Sequence, residues 1–408
     1  MLSYKILDKI NCEYGDSFYL LDTKVVESNY NELLTAFRKR YNNTKIAYSY
    51  KTNYIPQICS LVNKLGGAAE VVSEMELWLA LELKVPVNDI YYNGPYKKEK
   101  YLEEALVKGI HVNLDGNYEL DIIKKIALKY PEKKFNIGLR CNIDIGQEIC
   151  SRFGFDVEHG ELKDAISFID KISNVKIEGL HCHLPFRTLE SYKKRVEKMK
   201  EILDEIYFEE LSYISFGGGY MGKIDEKMLE QFTFVPPTFD DYAEQIAGFM
   251  NQYFKNKVHV PTLIIEPGSA IVANAMKYVT RVINIKQVRD SFIATLSGST
   301  FQINPSVKDI NRPIEIYPCD AEATKTYENL NMGGYTCIES DYLYRGYKGK
   351  LGIGDYVVFK NIGSYSVVMK PPFILPDIAI VQINDKEEIN VCKDIEKEED
   401  IFRLFKQI

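Results

Sequence analysis

Between residues 45 and 268 the chain alternates eight times between a short strand-like run and a segment of helical periodicity, a pattern few architectures accept. The runs are KIAYSY (45–50), AAEVVS (68–73), IYYNGP (90–95), HVNLD (111–115), FNIGLRCN (135–142), KIEGLHCH (176–183), YISFGGG (213–219) and TLIIEPG (262–268). Helical stretches such as IPQICSLVNKLG and YELDIIKKIALKY stand between them. The first four runs begin at residues 45, 68, 90 and 111, and later gaps lengthen enough for inserted loops. Eight such units fit a (β/α)8 barrel better than the alternative, an open doubly wound sheet. The amphipathic stretch SNYNELLTAFRKRY (28–41) is expected to pack against that barrel.

After about residue 275 the helical period nearly vanishes. KYVTRVINIKQV, FIATLSG, PIEIYP, DYVVFKN, SYSVVM and IAIVQIN alternate instead, punctuated by Gly, Pro and Asn. They predict a mostly antiparallel β domain, which the strand-like SFYLLDTKVV (17–26) is expected to join. The expected organisation is an α/β chain with a barrel over 28–275 and a β domain over 1–27 and 276–408.

The net charge of −7 and the scattered basic residues leave no nucleic-acid footprint. No apolar run reaches membrane-spanning length, and the first fifteen residues carry no signal-peptide pattern, so a cytoplasmic protein is expected. Eight cysteines lie without CxxC or disulfide-framework spacing and are expected to be mostly reduced core thiols.

In a (β/α)8 barrel chemistry gathers at the C-terminal ends of the strands. Here those ends carry Lys51, Ser73, Asn93, Asp115, Arg140, His183, Gly217 to Gly219, and Glu266. The triple glycine is either a flexible turn or a place where backbone N–H groups approach a phosphate. His181 and His183, two apart on a strand, share a face, but the other three histidines form no cluster with them, so no metal site is expected. A ring-stacking His183 fits better, a satisfied core histidine being the plainer alternative. Glu266 ends an apolar strand, where a carboxylate needs a partner such as a protonated heterocyclic nitrogen. A lysine, a phosphate cradle, a stacking histidine and a nitrogen-pairing carboxylate together describe a pyridoxal phosphate site, with Lys51 as the covalent attachment point.

These residues resemble the fold-type III pyridoxal-phosphate decarboxylases, most of all the diaminopimelate decarboxylase branch. YSYKTN is similar to the family's lysine motif, AAEVVSEMEL to its D-V-V-S-x-x-E-L segment, and LRCN to its arginine strand. SRFGF (151–155), GLHCHL, FGGGYMG, EPGSAIVANA and GSYSVVM (363–369) continue the series in order over residues 17 to about 370. The resemblance implies an alanine racemase/ornithine decarboxylase-like fold. It implies that Lys51 binds the cofactor, His183 stacks on its ring and Glu266 pairs with the ring nitrogen, with Arg140 among the cofactor residues. Gly217, Gly218, Gly219, Gly268 and Tyr365 would hold the phosphate. TCIESD (336–341) is similar to the family's cysteine stretch, making Cys337 the catalytic cysteine, reached from the partner in a head-to-tail homodimer. Arg312, Tyr317, Glu339, Asp341, Ser269 and Phe186 fall at substrate-contacting positions.

The chain departs from the pattern at the substrate's far end. Ser269 replaces the arginine of Glu-Pro-Gly-Arg, and Ile338 stands where a glutamate follows the cysteine, with Glu339 one place later. Phe186 replaces a serine, and Tyr317 is displaced by one residue after Arg312. The expectation is α-decarboxylation of an amino acid or amino-acid conjugate other than meso-diaminopimelate. The alternatives are diaminopimelate decarboxylation itself, racemisation on the same cofactor, and a non-catalytic pyridoxal-phosphate binder.

Overall fold

In a computed structural model of the chain, which describes residues 2–206, 211–305, 310–370 and 372–406, the eight runs become parallel strands. They are β1 (Thr44–Ser49), β2 (Ala68–Val71), β3 (Ile90–Tyr92), β4 (His111–Leu114), β5 (Phe135–Asn142), β6 (Val175–His181), β7 (Tyr213–Ser215) and β8 (Thr262–Ile265). Each pairs with the next, and β8 returns to β1, so the barrel is closed. A helix follows each of the first seven strands, from Pro56–Lys64 to Phe239–Phe254. Thr23–Arg38 precedes β1. Ser73, the first polar residue past β2, caps Glu74–Glu82 by accepting the Glu76 N–H at 3.2 Å.

The chain divides into two compact units, Glu27–Met221 with Pro236–Ile271, and Met1–Val26 with Gly222–Val235 and Val272–Ile408. The first holds the barrel. Its strands read as apolar runs because both faces are buried, one under helices and one in the barrel interior. Residues two apart share a face, and one inward layer is the buried cluster Ala47, Ala68, Tyr91, Tyr213 and Ile264. Gly138 and Gly179 complete that layer. A Cβ on Gly179 would overlap the Tyr213 ring, and one on Gly138 would overlap Asn113 Oδ1 and the Tyr213 hydroxyl. Small residues here make room for Tyr213 and for Tyr91, which meet edge to face at 5.2 Å.

The second unit is a sheet in which antiparallel pairings dominate. Its longest strand, Met276–Val288, pairs antiparallel with Ser17–Leu21, Ser291–Leu296 and Tyr356–Phe359. Two pairings are parallel, Ser17–Leu21 with Ile380–Ile383 and Ser291–Leu296 with Lys325–Gly333. Phe18, Val279, Val358 and Val381 form its core with Leu7 and Ile10.

Several sequence expectations change. The strand-like reading of 17–26 stops at Leu21, because Asp22 Oδ1 accepts the N–H groups of Lys24 and Val25 and caps a helix that starts at Thr23. SYSVVM is not a strand: Tyr365 turns the backbone left-handed (φ 61°) and Ser366–Met369 forms one helical turn. The helix Tyr4–Tyr14, capped by Ser3, had no counterpart in the sequence reading; it buries Leu7 and Ile10. Lys325–Gly333 and Tyr342–Leu351 were also missed, since three register shifts between them break the two-residue period. Only Cys59, Cys141 and Cys182 are buried, so most of the eight cysteines are not core thiols. Cys12, for one, lies off the Leu7–Ile10 stripe of its helix.

The packing around Tyr213 is directly testable. Gly179→Ala should destabilise the protein by about 1–3 kcal/mol through overpacking, read as a lower urea midpoint at unchanged slope. Adding Tyr213→Phe should not restore it, because the overlap is with ring carbons.

Candidate active site

Two carboxylates are buried where the barrel strands end. Glu70, just inside the end of β2, is 1 % exposed, and Glu266, just past β8, is 2 % exposed. A buried carboxylate is costly unless its oxygens have donors. Glu70 Oε2 meets Lys51 Nζ at 2.5 Å. Its Oε1 accepts from Asn93 Nδ2 at 3.0 Å, and the same nitrogen reaches Glu266 Oε1 at 3.1 Å. Ser215 Oγ donates to Glu266 Oε1 at 2.9 Å, and His181 Nε2 lies 3.1 Å from Oε2. Burial alone would raise the Glu266 pKa, but His181 and Lys51 outweigh it and hold the carboxyl well below the usual range.

Lys51 sits in the single turn Tyr50–Thr52 that follows β1, its side chain one-third exposed. Ser49 Oγ donates to Glu266 O at 3.0 Å, fixing the end of β1 to the residue after β8. These side chains fall on one parity: Lys51, Glu70, Asn93, Arg140, His181, Ser215 and Glu266 all lie a whole number of two-residue steps above the Ala47–Tyr213 layer or its glycines.

Past β6, His183 Nδ1 accepts the Gly218 N–H at 3.0 Å. That contact requires a neutral ring with its proton on Nε2. Burial first, then Lys51 and Arg140, push this imidazole well below the usual 6.5. Arg140 donates to Asp115 Oδ1 at 2.9 Å and His183 O at 3.1 Å, and Phe153 of the SRFGF stretch stacks on it at 4.6 Å.

The glycines divide by function. Gly217 (φ 66°) and Gly219 (φ 104°) hold left-handed conformations that suit glycine. The Gly217 N–H goes to Ser215 Oγ and the Gly218 N–H to His183, whereas the Gly219 N–H has no partner among the described residues. A Cβ on Gly218 would overlap Glu266 O, and one on Gly268 would overlap Thr52 Oγ1. Gly217, Gly218 and Gly268 thus provide close approach, and Gly219 a free donor. Tyr192 holds the cradle from behind, donating to Gly218 O at 2.8 Å.

Ser269 opens the short helix Ser269–Val272, and Phe186 lies on the loop after β6. That loop is fixed by Arg195, a fully buried residue of Leu189–Glu205 that donates to Leu184 O, Phe186 O and Ser191 Oγ and stacks on Tyr192 at 4.2 Å.

The remaining sequence-predicted residues belong to the β unit. Cys337 and Glu339 are exposed. Tyr365 is the left-handed residue before the helical turn at Ser366. Arg312 lines two cavities of about 230 and 450 Å³, and its guanidinium meets Met228 Sδ at 3.9 Å. No carboxylate pairs with it among the described residues, and burial lowers its pKa. Ile314 and Ile316 share the smaller cavity with Arg312, so Tyr317 faces the other way. It packs against the Leu7–Phe18 core and donates to Glu315 at 3.0 Å. Asp341 accepts hydrogen bonds from Ser299, Thr300 and Thr336.

Sequence reasoning passed over Glu70 and Ser215, weighed His181 only as a metal ligand, and gave Asn93 no function. A charged residue inside AAEVV was the available signal for Glu70.

The donor set suits a planar, phosphorylated cofactor. It offers an ionised carboxylate, a neutral half-buried imidazole, a free glycine amide and a lysine, and His181 Nδ1 and Arg140 Nε are buried without partners among the described residues. The sequence pattern of the pyridoxal-dependent decarboxylase pyridoxal-binding domain matches residues 27–273. The chain belongs to this family. It is a pyridoxal phosphate-dependent decarboxylase with the family's barrel and β-sheet fold. It is 28% identical over 388 residues to a diaminopimelate decarboxylase of Methanocaldococcus jannaschii, covering 88% of this chain and 83% of the relative. A Staphylococcus aureus 2-[(L-alanin-3-ylcarbamoyl)methyl]-2-hydroxybutanedioate decarboxylase is 26% identical over 345 residues, 79% of this chain and 83% of the relative. The crystal structure of the M. jannaschii enzyme superposes with a TM-score of 0.86 at 24% identity over 98% of this chain and 94% of that one.

Behind the Lys51–Glu70 pair stands Glu76, which accepts the Val72 N–H at 2.8 Å and whose pKa burial raises from 4.5 to about 7. The folded protein therefore keeps a proton that the unfolded chain releases near 4.5. The associated stability is present below that pH and is lost as pH rises to about 7. Glu76→Gln should gain on the parent by on the order of 2 kcal/mol between pH 5 and pH 8, measured by urea unfolding at both pH values.

Proposed function

We propose that this decarboxylase removes the α-carboxylate of a small amino acid or amino-acid conjugate, with Lys51 as the covalent anchor of its cofactor. The Lys51–Glu70 pair at 2.5 Å carries this reading. An amine must lose a proton to act as a nucleophile, and Glu70 is the base in contact with it. When bound, pyridoxal phosphate supplies an electron sink for the pair left behind as CO2 departs. Glu266 would keep the ring nitrogen protonated, His183 would cover a ring face, and the Gly219 N–H would take a phosphate oxygen, with Tyr365 added. Cys337 would return the proton at Cα, supplied by the partner in a head-to-tail homodimer. Its exposure supports such a contribution. We place the protein in the cytoplasm, a reading supported by eight free cysteines. No helix among the described residues is long and apolar enough to cross a membrane.

The relatives favour meso-diaminopimelate as the substrate, since diaminopimelate decarboxylases predominate among them. Arg312, without a carboxylate partner among the described residues, fits a substrate carboxylate. A second reading, an amino acid with a different distal end, is favoured by Tyr317 facing away from Arg312 and by the changes at Ser269, Phe186 and Ile338. A site built for a polar group rejects analogues lacking it by about 10⁴–10⁵-fold. A kcat/KM for CO2 release at least a thousandfold higher with a carboxylated conjugate than with meso-diaminopimelate would select the second reading.

Lys51→Ala should abolish both the visible absorbance of the lysine-linked cofactor and CO2 release. A fully active variant would refute the assignment.

A further inference from the structure

Asn93 stands at the end of β3, 3 % exposed, between the two carboxylates. Its Nδ2 donates to Glu70 Oε1 at 3.0 Å and to Glu266 Oε1 at 3.1 Å. An amide nitrogen carries two hydrogens, so one serves each carboxylate. Its Oδ1 accepts from Asn113 Nδ2 at 2.7 Å, and Asn113 Oδ1 accepts from the Tyr213 hydroxyl at 2.8 Å. Ionised carboxylates only accept, so this polarity is forced from the top of the barrel down to Tyr213.

We propose that Asn93 is a positioning residue that couples the two ends of the cofactor site, holding Glu70 against Lys51 and Glu266 toward the ring nitrogen through one shared amide. The inference rests on the decarboxylase reading above. Two buried carboxylates this close repel, and the ordinary relief is for one of them to take up a proton. A protonated Glu266 no longer favours a protonated ring, and a protonated Glu70 no longer accepts the proton of Lys51. The shared amide blocks that relief by giving an oxygen of each a donor. Asn113 and Tyr213 stop the amide from turning its carbonyl toward the carboxylates. When Lys51 leaves Glu70 to hold the cofactor, Asn93 is the donor that stays. The other titratable groups near this array include Lys51, Glu76, His181, His183, Arg140 and Tyr213, with Tyr91, Tyr220 and Cys182 also within electrostatic reach of Glu266.

Asn93→Asp keeps the shape and turns a third carboxylate toward the pair. In the purified holoenzyme kcat should fall by about 10- to 100-fold, the range found for residues that orient a reactive group from behind, with KM nearly unchanged. The pH midpoint of the lysine-linked cofactor's visible absorbance should move by about one unit or more. A purely structural residue would lower the thermal midpoint or cofactor content and leave the pH midpoint in place, and that result overturns the proposal. Should Asn93→Asp not fold, Glu70→Gln, Glu266→Gln and their combination test the coupling with Asn93 intact. Coupling makes their effects on the pH midpoint non-additive, and additive shifts overturn it. A wild-type protein with neither the visible band nor CO2 release from any amino acid refutes the decarboxylase reading itself, an outcome separate from every comparison among these variants.

Discussion

The structure of the barrel top depends on holding two carboxylates, Glu70 and Glu266, almost wholly out of water with a donor on each. A lone carboxylate in such a place would protonate. These two are held by five residues from four strand ends: Lys51 and Ser49 at β1, the latter fixing Glu266 through its backbone, Asn93 after β3, His181 at the end of β6, and Ser215 at the end of β7. Asn93 and Ser215 are each held by another contact, Asn93 by Asn113. Ser215 also accepts the Gly217 N–H, so the carboxylate and the glycine cradle are set by one hydroxyl. The Gly218 N–H goes to His183, so the cradle in turn fixes the tautomer of the imidazole expected to cover the ring.

That array stands on the barrel layer beneath it. Asn113 is oriented by Tyr213, and Tyr213 fits only because positions 138 and 179 carry no side chain. Glycines in the middle of two barrel strands weaken those strands locally. Here they admit a phenol whose hydroxyl starts the chain of donors that ends on the carboxylates. Packing and chemistry are thereby connected through a single column of residues two apart along their strands, which is how a (β/α)8 barrel passes order from its core to its mouth.

The barrel was legible because its strands are short apolar runs between helices, and a closed parallel sheet preserves that texture. Lys51, His183, Arg140 and Glu266 were legible as polar residues where apolar runs end. Glu70, Ser215 and His181 were not, since a polar residue inside a strand means little until the neighbouring strand is known. In the β unit legibility failed for a different reason. The shifts between Lys325–Gly333 and Tyr342–Leu351 erase the alternation that marks a strand. SYSVVM alternates convincingly, yet the left-handed Tyr365 starts a helical turn.

Tyr317 shows how strand parity decides what a residue packs against. In a strand, one residue of displacement exchanges faces. With Ile316 in the place that lines the Arg312 cavity, a phenol is replaced there by a branched aliphatic side chain, and the phenol joins the Leu7–Phe18 core. The cavity keeps its cation and loses a hydroxyl. The residues around Lys51 are linked by hydrogen bonds that leave little freedom for exchange, whereas Arg312 is held by one thioether contact. Ser269, Phe186 and Ile338 make none of the hydrogen bonds that join Glu70 and Glu266 to their donors.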